Sequence, residues 1–404
     1  MYSGDISTGN KSWSNSRITV IHSILPFAPD IHYRNEIMGK PQHDSEVSRL
    51  DKSPAELLTL YSELIRLTKP IGILMILHPV LTGFFFTIIT TNPSSRPWSI
   101  FSTHLPWICA STFFFRSFAC AWNDIVDAKP DRMVERTRMR PMARRAISVP
   151  AACTFSALLL LLAFSSMVPI ASSINGLLVY RLPQTILTLL YPFGKRVSNF
   201  TQFYLGIAIA DGIFTGTYLA GFDIFAHLAT VTSTWNIWEI GSTARLLDAL
   251  GPRTIGLGAL YFSHILCVVI YDTIYAFQDV SDDKKAKLKS LAIILGKSAR
   301  TSLTGLATVS ICLLSYAAVA LHHSQTRDKN DESLSSFSDI LRESWNYCMF
   351  SVVGHSLGWF YVLSNVNFND PKSCGFWFRQ AGVWAGNSVL IGLVAQYVFM
   401  SLDD

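Results

Sequence analysis

Two stretches of the chain concentrate the side chains that could do chemistry. The first reads Asn123-Asp124-Ile125-Val126-Asp127-Ala128-Lys129-Pro130-Asp131 and runs into Arg132, Glu135, Arg136, Arg138 and Arg140. The second sets Asp272, Asp279, Asp282 and Asp283 ahead of Lys284, Lys285, Lys287 and Lys289. On a helical path of about 100° per residue, Asp124, Asp127 and Asp131 fall within a sector of about 60°, although Pro130 strains the last turn. Asp272, Asp279 and Asp283 fall within about 40° on the same geometry. Carboxylates aligned in this way repel one another unless a cation joins them. A hard divalent ion such as Mg²⁺ takes one or two carboxylates and completes its shell with substrate phosphate oxygens, and nearby Lys and Arg take up the remaining phosphate charge. Solvated loops would explain the basic residues, but not acids held in register at i, i+3, i+7 and again at i, i+7, i+11.

The elements that must position these clusters are set by composition. Half of the 404 residues are apolar and only 15% are charged, against about a quarter in an ordinary soluble domain. This excludes disorder, collagen and coiled coil, and makes a water-solvated globule the weaker fit. Nine apolar stretches, roughly 71–90, 105–122, 147–169, 174–191, 203–222, 255–277, 301–321, 346–365 and 380–400, each approach the ~20 residues a helix needs to cross ~30 Å of hydrocarbon. With nine crossings, 25 of the 33 Lys and Arg residues lie on one side and 6 on the other, while Arg116 and Arg181 lie within spans. The basic side is expected to be cytosolic, both acidic clusters emerge there, and an odd number of spans places the C-terminus opposite. Residues 1–55 are expected to be a disordered polar tail, with acids that argue against a matrix presequence, and 56–404 one membrane-embedded domain. His322 to Arg342 is expected to be a hydrophilic loop. The seven cysteines include no CxxC pair and fit small buried hydrophobes.

At these residues the sequence resembles the UbiA family of intramembrane aromatic prenyltransferases, from about Leu60 to the last span. The family's first motif matches Asn123, Asp124, Asp127 and Asp131, followed by Val134, Arg136, Thr137, Arg140 and Pro141. Its second motif, in the form found in 4-hydroxybenzoate polyprenyltransferases, matches Tyr271 to Asp283 with Lys289 and Ser290. Arg66 with Lys69-Pro70, and Tyr191 to Arg196, fit two lesser elements.

The resemblance implies an all-α polytopic membrane protein, about nine transmembrane helices around a central cavity capped by cytosolic loops. It implies Mg²⁺ held by Asp124, Asp127, Asp131, Asp279, Asp282 and Asp283, with Asp124, Asp127, Asp279 and Asp283 essential to catalysis. Asn123, Arg132, Arg136, Arg140, Lys195, Arg196, Asp272, Tyr275 and Lys289 are expected to bind substrate, and Arg116 to pair with the carboxylate of a phenolic acid acceptor. The implied reaction transfers an isoprenyl group, farnesyl being favoured, from an allylic diphosphate to an aromatic carbon. Two departures, the bulky Phe118 after Arg116-Ser117 and Thr201-Gln202 in place of a Pro-Gln pair, favour a specialised acceptor. The expected setting is meroterpenoid biosynthesis in the endoplasmic reticulum or a related endomembrane. The alternative is 4-hydroxybenzoate prenylation for ubiquinone in the mitochondrial inner membrane. A transporter fits less well, because the carboxylates gather at helix ends on one side and not near the bilayer midplane. No nucleic acid or obligate protein partner is expected.

Overall fold

The computed structural model describes residues 52–91, 98–234, 243–326 and 337–403, so the expected polar tail lies almost wholly outside the described residues. Within them every regular element is helical. A short helix α1 (Pro54–Leu64) turns into α2 (Ile71–Thr90), followed by α3 (Trp98–Val126), α4 (Val149–Ser165) and α5 (Ile174–Val197). Next, α6 (Thr201–Ala210) and α7 (Gly212–Leu219) form one rod interrupted at Asp211, and α8 (Ile224–Thr234) leaves it at 86°. Beyond them lie α9 (Thr243–Ala276), the short α10 (Val280–Lys285) and α11 (Leu291–Leu295), α12 (Ala299–Thr326) and α13 (Phe337–Glu343). A π-helical segment, Tyr347–Val353, continues into α14 (Gly354–Asn365), and α15 (Pro371–Asp403) closes the bundle.

Helix starts follow local chemistry. Ser173 accepts from the Gly176 amide at 3.0 Å, so its hydroxyl satisfies an N–H that the first turn of α5 would leave unpaired. Ser148 caps α4 in the same manner, ahead of Pro150, whose fixed φ suits the first turn. Within α9, Gly251 adopts φ 73°, which only glycine does without strain, and the helix axis breaks there ahead of Pro252.

All nine expected crossing segments are helical, but among the described residues five helical segments are long and apolar enough to cross a membrane: Ile71–Thr90, Val149–Ile170, Arg245–Ala276, Leu291–His323 and Pro371–Ser401. The bent pair Thr201–Leu219 and Ile224–Ser233 is a sixth if counted as one span. The expected nine apolar spans therefore exceed what length and composition support. The reason is visible in the helices that fall short. They carry polar groups whose partners are inside the bundle: Arg181 donates to Gln184 at 2.6 Å, and Trp359 donates to His355 at 2.9 Å. The hydrophilic loop expected over His322–Arg342 is also revised, because α12 continues to Thr326 and α13 begins at Phe337, with 327–336 outside the described residues. His322 is buried, with Nδ1 2.8 Å from the Glu343 carboxylate.

The core lies where α2 meets α7. A Cβ on Gly83 would run into the Ile213 carbonyl, and one on Gly216 into the Val80 carbonyl, so these two backbones meet without side chains between them. Phe84, Phe85, Phe86, Leu257, Leu260 and Tyr347 fill the surrounding space. One end of the bundle collects the turn after α1 and the loops after α3, α5 and α9, and the candidate residues lie there.

Candidate active site

Helix α3 ends at Val126, yet its path continues: the Asp127 amide donates to the Asn123 carbonyl at 2.8 Å and the Asp131 amide to the Asp127 carbonyl at 2.9 Å. Pro130 is tolerated because it opens a 3₁₀ turn (Pro130–Met133), where no amide is required of it. Asp124, Asp127 and Asp131 are thus stacked along one helical face, as their spacing predicts, and all three are buried.

The second cluster is built differently. Helix α9 stops at Ala276, and Asp279 is the N-terminal cap residue of the separate α10, with Asp282 and Asp283 in its first turn. Asp272 therefore stands on α9 while Asp279 and Asp283 stand on α10, and the single 40° helical face expected for the three does not form. Asp279 has φ −112° and ψ 3°, outside the helical range, which is where a cap residue breaks the path.

Basic side chains from the turn after α1, the loop after α3 and the end of α5 occupy the carboxylates. Arg66, in the turn after α1, donates to Asp124 Oδ1 at 2.6 Å. Arg140 bridges Asp124 Oδ1 at 3.1 Å and Asp131 Oδ2 at 2.8 Å. Lys195, at the end of α5, lies 3.6 Å from Asp127, and Arg196 lies 4.0 Å from it while donating to the Val126 carbonyl at 2.8 Å. Arg136 ties the loop that follows the first cluster to the second cluster: its guanidinium grips both Asp279 oxygens, and Nη1 donates to the Tyr275 hydroxyl at 2.6 Å. The Glu135 amide adds a contact to Asp282 Oδ2 at 3.3 Å. Lys289 ties the loop after α10 to the end of α5, its Nζ donating to the Val197 carbonyl at 3.2 Å.

Not every expected residue joins. Arg132 turns back on its own loop, donating to the Ala143 carbonyl at 2.7 Å. Arg116 points at backbone carbonyls of the turn after α1: Ile65, Arg66 at 3.4 Å and Lys69 at 3.3 Å. Arg66, by contrast, was absent from the expected substrate contacts. Its sequence signal is the lesser family element it forms with Lys69-Pro70 ahead of the first apolar run.

Burial shapes the acids outside the membrane-spanning helices. It pushes the Asp283 carboxyl up to about 6, with Lys195 opposing and Asp279 adding to the rise. Asp131 is raised by burial too, partly offset by Arg140. Asp282 lies on the rim and is lowered, chiefly by the hydrogen bond from the Glu135 amide.

Among the described residues no three His, Cys, Asp or Glu side chains are gathered closely enough to hold a metal ion, because arginine and lysine stand between the carboxylates. The donor set nonetheless suits a hard cation. All the acids are oxygen ligands, and Asp124 Oδ2 is buried with no hydrogen-bond partner, an oxygen with its coordinating capacity unspent.

A helical bundle with an acidic and basic pocket at one end is the setting in which the chain's relatives become informative. The UbiA prenyltransferase family profile matches residues 76–327. The chain belongs to this family. It is 31% identical over 259 residues to the prenyltransferase stbC of Stachybotrys bisbyi, covering 64% of this chain and 69% of that one. It is 30% identical over 344 residues to a 4-hydroxybenzoate octaprenyltransferase of Cupriavidus necator, covering 85% of this chain and 98% of that one. In fold it is similar to a UbiA homologue from Archaeoglobus fulgidus bound to GPP and Mg²⁺, with a TM-score of 0.51 at 16% identity, covering 82% of this chain and 99% of that one. The chain is a UbiA-type aromatic prenyltransferase, an integral membrane protein built on the UbiA fold.

Proposed function

We propose that this UbiA enzyme transfers a farnesyl group from its allylic diphosphate to an aromatic carbon of a phenolic acid or related polyketide, with Mg²⁺ as cofactor. The observation that carries this is that the two acidic clusters and their bases share one end of the bundle: Arg66 and Arg140 meet at Asp124, Lys195 reaches Asp127, and Arg136, from the loop after the first cluster, grips Asp279 of the second. Asp124, Asp127, Asp131, Asp279, Asp282 and Asp283 would hold Mg²⁺. When bound, the cation neutralises the carboxylates and polarises the diphosphate oxygens. Arg66, Arg136, Arg140, Lys195 and Arg196 then face the diphosphate and stabilise the charge that builds on it as the C1–O bond ionises. Exchanging a carboxylate partner for a diphosphate costs these arginines little, since the planar guanidinium fork bonds two carboxylate or two phosphate oxygens equally well. The ring carbon would then bond to C1 and give up its proton, and dry surroundings would favour this over capture of the cation by water.

The bundle is proposed to cross the membrane nine times, with this pocket on the cytosolic face of an endomembrane. A second reading, prenylation of 4-hydroxybenzoate, is favoured by the near-complete coverage of the Cupriavidus necator enzyme. Mass spectrometry of products from purified protein, with and without Mg²⁺, against a panel of prenyl diphosphates and phenolic acids, tests both. Farnesylated polyketide-type acids are expected. Exclusive use of 4-hydroxybenzoate with longer polyprenyl chains would establish the second reading, and absence of any prenylated product would end the first.

A further inference from the structure

The turn between α1 and α2 has an unusual composition. The Leu67 amide donates to the Ser62 carbonyl and the Arg66 amide to the Glu63 carbonyl, both at 3.0 Å, which is the paired bonding of a Schellman cap. That cap places one residue in the left-handed region, a position glycine takes because a side chain strains there. Here the residue is Arg66, with φ 53°. The conformation costs about 1 kcal/mol or more in a non-glycine residue, and it aims the Arg66 side chain at Asp124 Oδ1, 2.6 Å away.

The groups that hold this conformation come from α3. Arg116 is buried at 7% exposure, and its guanidinium reaches into the concave side of the turn, taking the carbonyls of Ile65, Arg66 and Lys69. The Ile65 carbonyl is one that a Schellman cap leaves open, and a cation beside a helix C-terminus also meets the negative end of its dipole. Gly72 makes the room. A Cβ there would lie 2.9 Å from Arg116 Nε, closer than real Cβ atoms come, and 3.1 Å from Nη2, so the guanidinium would have to shift. The chain therefore provides a left-handed arginine, a buried guanidinium that fastens its backbone, and a glycine that admits the guanidinium.

We infer that Arg116 is a positioning residue of the diphosphate pocket, acting through Arg66: it fixes the turn at residues 65–69 so that Arg66 meets Asp124. Its donors serve the turn and not the carboxylate of an acceptor. The inference rests on the proposed diphosphate chemistry, and its test separates the two. A double-mutant cycle of Arg66→Ala and Arg116→Ala is measured two ways: by pyrophosphate binding with Mg²⁺ in calorimetry, and by kcat and KM with carboxylated and decarboxylated acceptors. Each single variant is expected to weaken pyrophosphate binding by on the order of tenfold or more, the span of a lost charge-assisted hydrogen bond. The double variant should be no weaker than Arg66→Ala alone, because the two residues act in series. Gly72→Ala, which leaves every charge in place, should move binding in the same direction.

Both acceptors should lose rate equally in Arg116→Ala. Losses that multiply in the cycle would overturn the inference. So would unchanged pyrophosphate binding together with a raised KM for carboxylated acceptors alone. If Arg116→Ala does not fold, Arg116→Lys and Gly72→Ala carry the comparison: lysine keeps a charge for a carboxylate but cannot span three carbonyls, so the inference expects it to bind pyrophosphate poorly. A wild-type protein that binds pyrophosphate but forms no prenylated product would reject the proposed reaction and leave this inference to be judged by the binding cycle.

Discussion

At the scale of single residues, the carboxylates divide by how much each has to give. Asp124 is 1% exposed, accepts from two arginines on Oδ1 and leaves Oδ2 unpartnered, whereas Asp282 lies on the rim with Lys285. Asp124→Asn keeps the volume and removes the charge, so it should cost on the order of a hundredfold or more in kcat, with near-normal expression. Asp282→Asn should cost less than Asp124→Asn, because a rim carboxylate shared with Lys285 and open to water can be replaced by water in a cation's shell more readily than a buried one. Turnover rates of the two variants, measured at matched protein levels, check this ordering.

Asp283 supplies a pH dependence. With its carboxyl at about 6, it carries a proton below that pH and must lose it to ligate a cation, so cation affinity should rise with pH and level off above about 7. For stability of the cation-free protein the sign is reversed. A raised folded-state pKa means the folded form holds the proton more tightly, so this group favours folding most at low pH, and the contribution is lost as pH climbs from about 4 to about 6. Mn²⁺ binding followed by electron paramagnetic resonance from pH 5 to 8 reads the first effect, and Asp283→Asn should flatten it.

At the scale of elements, the first acidic cluster was legible in the sequence and the second only in part. Asp124, Asp127 and Asp131 keep their register because Pro130 falls where a helix can restart without its amide. The register of Asp272 with Asp279 was lost because periodicity alone does not show where a helix ends: α9 stops three residues short of Asp279. Arg66 was harder still, since a left-handed arginine has no sequence pattern and its place depends on a glycine and an arginine from two other segments.

The α2–α7 contact was equally invisible, being a matter of which glycines face each other. Gly216→Val would drive a side chain into the Val80 carbonyl, an overpacking that costs about 1–3 kcal/mol. Thermal scans in detergent should show a midpoint lowered by several degrees. Gly258→Ala, with nothing within 4 Å of its added carbon, should leave the midpoint in place.

At the scale of the whole molecule, the direction of each helix follows from which ends meet. Arg66 with Asp124, Lys195 with Asp127, Arg136 with Asp279 and Arg300 with the Val366 carbonyl gather at one end of the bundle the turn before α2, the ends of α3, α5 and α9, and the junctions of α12 and α15. At the other end, Tyr180 donates to Asp223 at 2.6 Å, and Arg253 donates to the Thr90 carbonyl. Helices that run between two such ends traverse the bundle even where they are too polar to register as apolar spans, as with α3 and α5. If all nine segments cross as proposed, 25 of the 33 basic residues lie on one side, whereas length and composition alone support five crossings among the described residues, or six with the bent pair. The two counts part company over one pair of loops. If α3 and α5 both cross, Arg138 and Ser198 face the same compartment. If the five apolar spans alone cross, α4 alone separates them and they face opposite compartments. Single cysteines at Arg138 and Ser198, in a background with reactive native cysteines replaced, should therefore label together with a membrane-impermeant maleimide from the cytosolic side, and neither should label from the other. Labelling of the two from opposite sides would break the 3.6 Å contact between Lys195 and Asp127, and with it the single pocket on which the proposed chemistry depends.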